Sequence, residues 1–177
     1  TEINLGGEGT AADDILVSAD GSSVVSGDGD DTVIVTNLGS GTLDGGNGRD
    51  TLNLGQLSVA DAAVVDLNLG SMTGIMSGNV DQSQVYRDID GFEIVVGTSG
   101  DDVIVGSGSD TESLTLRGGD GSDRIYGGAG DDLIDGGAGD DTIQVDQAVS
   151  STIDAGAGDD AVGIINSTSS LIVLDQG

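Results

Sequence analysis

Between residues 118 and 144 the chain repeats itself every nine residues without a gap, as GGDGSDRIY, GGAGDDLID and GGAGDDTIQ. No other feature limits the fold as strongly, because a unit this short cannot bury an apolar face alone and has to stack on its neighbours. The frame is Gly-Gly-x-Gly-x-Asp-x-apolar-x. It recurs with substitutions at 9 (GTAADDILV), 26 (SGDGDDTVI), 45 (GGNGRDTLN), 97 (GTSGDDVIV) and 155 (AGAGDDAVG), giving eight copies. Aligned on the sixth-position residues Asp14, Asp31, Asp50, Asp102, Asp123, Asp132, Asp141 and Asp160, the eighth position is an independent test. It reads Leu16, Val33, Leu52, Ile104, Ile125, Ile134, Ile143 and Val162. With Val, Ile and Leu at about a quarter of the chain, such agreement arises by chance roughly once in tens of thousands of trials.

Six glycine-rich residues followed by three alternating ones describe a tight turn and a very short strand, with the eighth residue pointing inward. Two units make one flattened coil. The reading is therefore an all-β fold, a parallel β-roll or β-helix solenoid of about ten coils and ~45–50 Å length with two parallel sheets. It covers 1–177 as one unit, with regular repeats at 9–54 and 97–163 and a degenerate segment at 55–96. Successive copies start 17, 19, 52, 21, 9, 9 and 19 residues apart, so most gaps approach two nonapeptides. The turns between, Val35–Asp44 and Val145–Asp154, lack the loop but end in Thr-aliphatic-Asp. Counted in half-coils, the loops at 9, 26, 45, 97, 118, 136 and 155 fall on one edge, leaving the other with the loop at 127 and a remnant at Gly106–Asp110.

Stacking brings carboxylates of neighbouring coils together with turn carbonyls, an arrangement that repels itself unless a cation is present. The candidate metal-binding residues are the eight sixth-position aspartates and the turn glycines Gly27, Gly29, Gly46, Gly48, Gly119, Gly121, Gly128, Gly130, Gly137, Gly139, Gly156 and Gly158. Ca²⁺ takes six to eight oxygen ligands in flexible geometry, whereas Mg²⁺ demands a stricter octahedron and keeps its water. The balance of 28 Asp to 4 Glu suits a short side chain reaching an ion from its own turn.

Net charge is −28, with four Arg and neither Lys nor His, so a nucleic-acid partner is excluded by repulsion. Without His, Cys or Lys, the chain can form no Ser-His-Asp triad, Cys-His pair, Schiff base, disulfide or usual zinc site. No apolar run nears the ~18 residues of a membrane helix, and membrane insertion is not expected. A −28 chain with a small aliphatic core is expected to be disordered without calcium and to fold on binding it, and acidification is expected to unfold it as a chelator does.

The nonapeptide resembles the hemolysin-type, or RTX, calcium-binding repeat. The match is close to perfect at Gly118–Gln144 and good at the other five copies, while Ala12 stands where the pattern wants Gly in the copy holding Asp14. The stretch Val64–Gly97 is similar to degenerate segments that precede such repeats in secreted members. The resemblance implies a parallel β-roll, several Ca²⁺ ions between loops of adjacent coils at the sixth-position aspartates, type I export and folding outside the cell. Nothing in the chain resembles the catalytic domain that protease and lipase members carry.

The function expected is a secreted, extracellular calcium-binding structural module without catalysis of its own. Calcium is its first partner. The alternatives are a repeat module cut from a large type I-secreted adhesin or exported enzyme, and a Ca²⁺-dependent polysaccharide-active β-helix using Arg117 or Arg124. Arg124 occupies a seventh position, which faces outward, and Phe92 and Tyr86 read as packing residues at an irregular coil. The start TEINLGGEG reads like the strand end and loop of SSTIDAGAG, and the end LIVLDQG like another coil's strand. End-to-end stacking into a homo-oligomer, filament or surface layer is therefore expected. Asp141→Ala is expected to destabilise strongly, and Asp20→Ala or Asp61→Ala little.

Overall fold

Alternation within three- to six-residue strands puts one side chain in two toward the inside, as in Thr51–Asn53 and Val103–Val105, whereas Ala161–Ile165 has no buried position. The computed structural model describes residues 3–5, 7–19, 22–37, 41–57, 61–66, 71–76, 85–86, 88–106, 113–148, 150–167 and 171–175. Among these there is no helix.

The chain winds as a β-solenoid. One face is a continuous parallel sheet of nine strands: Ile3–Leu5, Ile15–Ser18, Thr32–Val35, Thr51–Asn53, Ile94–Val96, Thr115–Asp120, Leu133–Ala138, Thr152–Ala157 and Leu171–Asp175. The other face is divided. Gly7–Glu8, Val24–Val25, Thr42–Asp44 and Asp88–Asp90 form a four-stranded parallel sheet. Asp61–Asp66, Val103–Val105, Arg124–Tyr126, Thr142–Asp146 and Ala161–Ile165 form the parallel part of a seven-stranded sheet, which Ser71–Met76 and Val85–Tyr86 extend in antiparallel fashion.

The long sheet thus holds nine strands rather than one from each of ten coils. The difference lies between Thr51–Asn53 and Ile94–Val96, which pair directly although Asp61–Met76 intervenes in the chain. That intervening segment folds back on itself, with Asp61–Asp66 antiparallel to Ser71–Met76.

The core is two columns of aliphatic side chains. Register aligns Leu16, Val33, Leu52, Val95, Leu116, Ile134 and Ile153 along the long sheet, and all are fully buried. Opposite them stand Val24 and Leu43 on the four-stranded sheet and Ile104, Ile125 and Ile143 on the seven-stranded one. Each contributes about 1.5–3 kcal/mol by leaving water. Seven of the eight eighth-position residues are therefore in the core, and Val162 is partly buried against it. Phe92 is buried beside the irregular turn, whereas the side chain of Tyr86 lies outside the described residues.

Candidate metal centre

Each loop crosses an edge of the solenoid in six residues, and the glycines make that possible. The twelve second- and fourth-position glycines named above all lie at positive φ, from +84° at Gly46 to +150° at Gly48. L side chains rarely adopt that conformation. In the copies at 118, 127 and 136 the first position needs glycine for another reason, although Ser26 and Ala155 stand there in two other copies. A Cβ on Gly118, Gly127 or Gly136 would run into Oδ2 of Asp123, Asp132 or Asp141, the sixth-position carboxylate of the same loop folded back over it.

Those carboxylates also tie the coils together. Oδ1 of Asp31 accepts the backbone N–H of Asp14 at 2.7 Å, and Oδ1 of Asp50 accepts that of Asp31 at 2.7 Å. In a second column Asp123, Asp141 and Asp160 accept the N–H groups of Asp102, Asp123 and Asp141 at 2.7, 2.8 and 2.9 Å. Each of these five aspartates thereby caps the coil before it. Asp132 does the same for Leu114 at 3.1 Å, and its own N–H donates to the Ser151 hydroxyl at 3.0 Å.

Sequence reasoning missed the fifth position. Its exposed side chains run a second ladder of opposite polarity, capping the coil that follows. Asp30 and Arg49 donate their N–H to Oδ1 of Asp13 and Asp30, and Ser122, Ser150 and Asp159 donate theirs to Oδ1 of Asp101, Asp131 and Asp140. The signal was present, since six of the eight copies carry Asp there (Asp13, Asp30, Asp101, Asp131, Asp140, Asp159).

With Oδ1 engaged, the fate of Oδ2 divides the eight aspartates. Oδ2 of Asp31, Asp50, Asp123, Asp132 and Asp141 is buried and meets no hydrogen-bond donor. At Asp14 and Asp102 the second loop position is threonine. Thr10 donates its N–H and hydroxyl to Asp14 Oδ2 at 2.8 and 2.7 Å, while Thr98 donates N–H to Asp102 Oδ2 at 2.6 Å and hydroxyl to Oδ1 at 2.8 Å. Asp160 is only partly buried. Burial raises the unsatisfied carboxyls above their ordinary value, Asp123 to about 7 and Asp50 and Asp132 to about 6, with neighbouring carboxylates adding to the effect. Asp31 and Asp141 are raised for the same first cause. In a cation-free fold these raised carboxyls favour the folded state as pH falls, because they take up protons that the unfolded chain does not hold, whereas the acid unfolding expected above concerns the calcium-loaded chain, whose ligands are protonated.

The loops do not share one edge. Those ending at Asp14, Asp31, Asp50 and Asp132 lead into the long sheet, and those ending at Asp102, Asp123, Asp141 and Asp160 lead out of it. The count in half-coils failed at the intervening segment, where an odd number of crossings separates the loop at 45 from that at 97. Most of the remnant expected at Gly106–Asp110 lies outside the described residues, as do Asp20 and the side chain of Asp61.

Among the described residues no three acidic side chains gather at one point. The available donors are single carboxylates together with loop carbonyls. This all-oxygen set, with a negative oxygen buried and unsatisfied in loop after loop, fits a hard divalent cation of the calcium type. Arg117 and Arg124 are exposed on the outer sides of different sheets and share no site.

A glycine–aspartate loop solenoid of this kind defines a metal-binding repeat module. The family model for the RTX calcium-binding nonapeptide repeat (4 copies) matches residues 89–111 and 115–143. The family is structural and calcium-binding rather than catalytic. No curated protein matches the chain significantly.

Proposed function

We propose that this chain is an extracellular structural module whose folding is driven by Ca²⁺ taken up along both edges. The observation that carries this reading is the set of five buried Oδ2 atoms without a donor, at Asp31, Asp50, Asp123, Asp132 and Asp141. An unpaired buried charge is costly, and a bound cation turns that cost into folding free energy. Calcium would supply positive charge between loops. The sixth-position carboxylates would hold it, helped by carbonyls of loops that their positive-φ glycines keep open, while the aliphatic columns keep the coils in register. At Asp14 and Asp102 the threonine donors take over part of that role, so these two loops depend least on metal.

Far-UV circular dichroism during a calcium titration of the chelator-treated chain tests the reading. β structure is expected to appear with metal, and a full β spectrum in excess chelator at neutral pH contradicts it.

A second reading, end-to-end stacking of copies, draws on the strand Ala161–Ile165. Ile164 aligns with Val145, which is fully buried one coil below, yet is itself 38% exposed. Covering it with another coil would extend the core. Sedimentation with and without calcium decides this, since calcium-dependent assembly supports stacking and a strict monomer at all concentrations excludes it.

A further inference from the structure

The loop at 45 carries the chain's one Asn-Gly pair, Asn47–Gly48, and there we propose a self-modification site, at which Asn47 deamidates once calcium is withdrawn and the loop no longer closes. The inference rests on the calcium reading of the loops, because it takes the bound ion to be what keeps the Asn47 side chain away from its own backbone.

Fold and sequence bring this pair together. The fourth loop position has to be glycine, since Gly48 lies at φ +150° and a Cβ there would run into the carbonyl of Gly29 in the loop at 26. The third position is free, and holds Asp28, Asp120, Ala129, Ala138 and Ala157 in other copies. Only the loop at 45 fills it with asparagine. Three bonds to the loop at 26 then fix that residue. Its N–H donates to the Gly27 carbonyl at 2.8 Å, its carbonyl accepts the Gly29 N–H at 2.9 Å, and its Nδ2 donates to Asp28 Oδ1 at 2.9 Å. On its other side the loop is stacked against the shortened turn Gly91–Glu93, where Glu93 Oε2 accepts the Asp50 N–H at 2.8 Å. Asn47 and Gly48 are both exposed, so water reaches them.

The chemistry needs no enzyme. The backbone nitrogen of Gly48, unshielded by any Cβ, attacks the side-chain carbonyl carbon of Asn47. The Gly48 N–H proton leaves with the amide as ammonia, and a cyclic succinimide closes. One water then opens the ring at either carbonyl, giving aspartate or, chiefly, isoaspartate, with no change of oxidation state. In the closed loop the reaction is held back, because the amide nitrogen is bonded to Asp28 and the main chain of Asn47 is pinned through both N–H and carbonyl. An open loop loses those bonds. The aspartate product is accommodated sterically, as Asp28 and Asp120 show at the same position. Isoaspartate is not, because it adds a backbone carbon to a loop whose polar groups are matched to the loop at 26, and Asp50, proposed to hold calcium, follows in the same loop. Six Asp-Gly pairs can close the same ring, but a carboxylate is a poorer electrophile than an amide, so position 47 reacts first.

The test holds the full chain for days at neutral pH, in calcium or in excess chelator, and follows it by peptide mapping with mass spectrometry. Conversion at position 47 should run roughly tenfold or more faster in chelator, since it proceeds only through the open loop. On return to calcium the β spectrum should recover in proportion to the unconverted fraction. Asn47→Ala, with the residue that Ala129, Ala138 and Ala157 place in other loops, should recover fully after the same treatment. Equal rates with and without calcium, in a chain whose β structure does appear only with calcium, overturn the inference and leave the calcium reading standing. So does an Asn47→Ala chain that loses recovery as fast as the unaltered one. Should that variant fail to fold, mapping of the unaltered chain alone gives the decision. A full β spectrum in excess chelator brings down the calcium reading and this inference together.

Discussion

The run of loops at 9, 26 and 45 and the run at 97, 118, 136 and 155 use the same nine-residue frame, yet one leads into the long sheet and the other out of it. Both open on a loop whose second residue is threonine and whose carboxylate is satisfied by that threonine, at Asp14 and at Asp102. Both continue with glycine in that place and a buried, unsatisfied Oδ2. They end differently, the first on Glu93 in a shortened turn and the second on the partly exposed Asp160. The lesson is that a nonapeptide carries the loop but not the edge. Asp132 underlines this. It sits on the first run's edge among neutral neighbours, Leu114 before it and Ser151 after it.

The comparison breaks down most completely if metal is not what both runs share. Removing calcium with excess chelator at neutral pH should abolish the β spectrum of both, and amide exchange should show neither run protected. Protection surviving in one run would mean that only the other depends on calcium.

Next in size are the glycines. Gly137→Ala meets both obstacles, φ of +109° and the carbonyl of Gly119, and is expected to cost more than about 4 kcal/mol or to prevent folding. Gly118→Ala meets only a steric one, chiefly Asp123 Oδ2, and should cost about 2–3 kcal/mol in thermal melts and weaken calcium binding as well. Equal losses would show that conformation adds nothing to the collision.

Asp123→Ala removes the acceptor for the Asp102 N–H together with the carboxylate oxygen proposed as ligand, and is expected to cost about 3 kcal/mol in calcium. Asp102→Ala, in a loop where threonine meets the carboxylate, should cost about half as much and shift the calcium midpoint less. Similar midpoint shifts would remove the distinction between opening and internal loops.

The pH response sharpens the same distinction. Asp50, Asp123 and Asp132, at about 6, 7 and 6, are raised in the cation-free fold. Their protonation contributes stability that is complete below the ordinary value near 3.8 and is lost as pH rises through 6 to 7. In chelator, β structure should therefore increase as pH falls from 7 toward 4, whereas at limiting calcium the same change should release metal. A chelator-treated chain indifferent to pH would contradict the burial of these groups. The smallest effect belongs to the outer faces, where Asp154→Ala on an exposed position should stay within about 0.5 kcal/mol.

What the sequence determined by itself is local. Nine-residue spacing requires short strands, the eighth position must point inward, and glycines at the second and fourth positions permit the positive φ of the turn. Leu16, Val33, Leu52, Ile104, Ile125, Ile134 and Ile143 are accordingly all buried. Tertiary structure decided whatever depends on residues from other coils. Ladder partners usually lie 17 to 21 residues apart, but Asp50 and Glu93 are separated by 43, and no repeat frame spans that distance. The antiparallel excursion of Asp61–Met76 within it changes how many times the chain crosses before the loops resume, and so assigns the second run to the other edge. The division of labour between Oδ1 and Oδ2 was also beyond the sequence. It depends on which backbone N–H the next coil presents, and that is settled only when the coils stack.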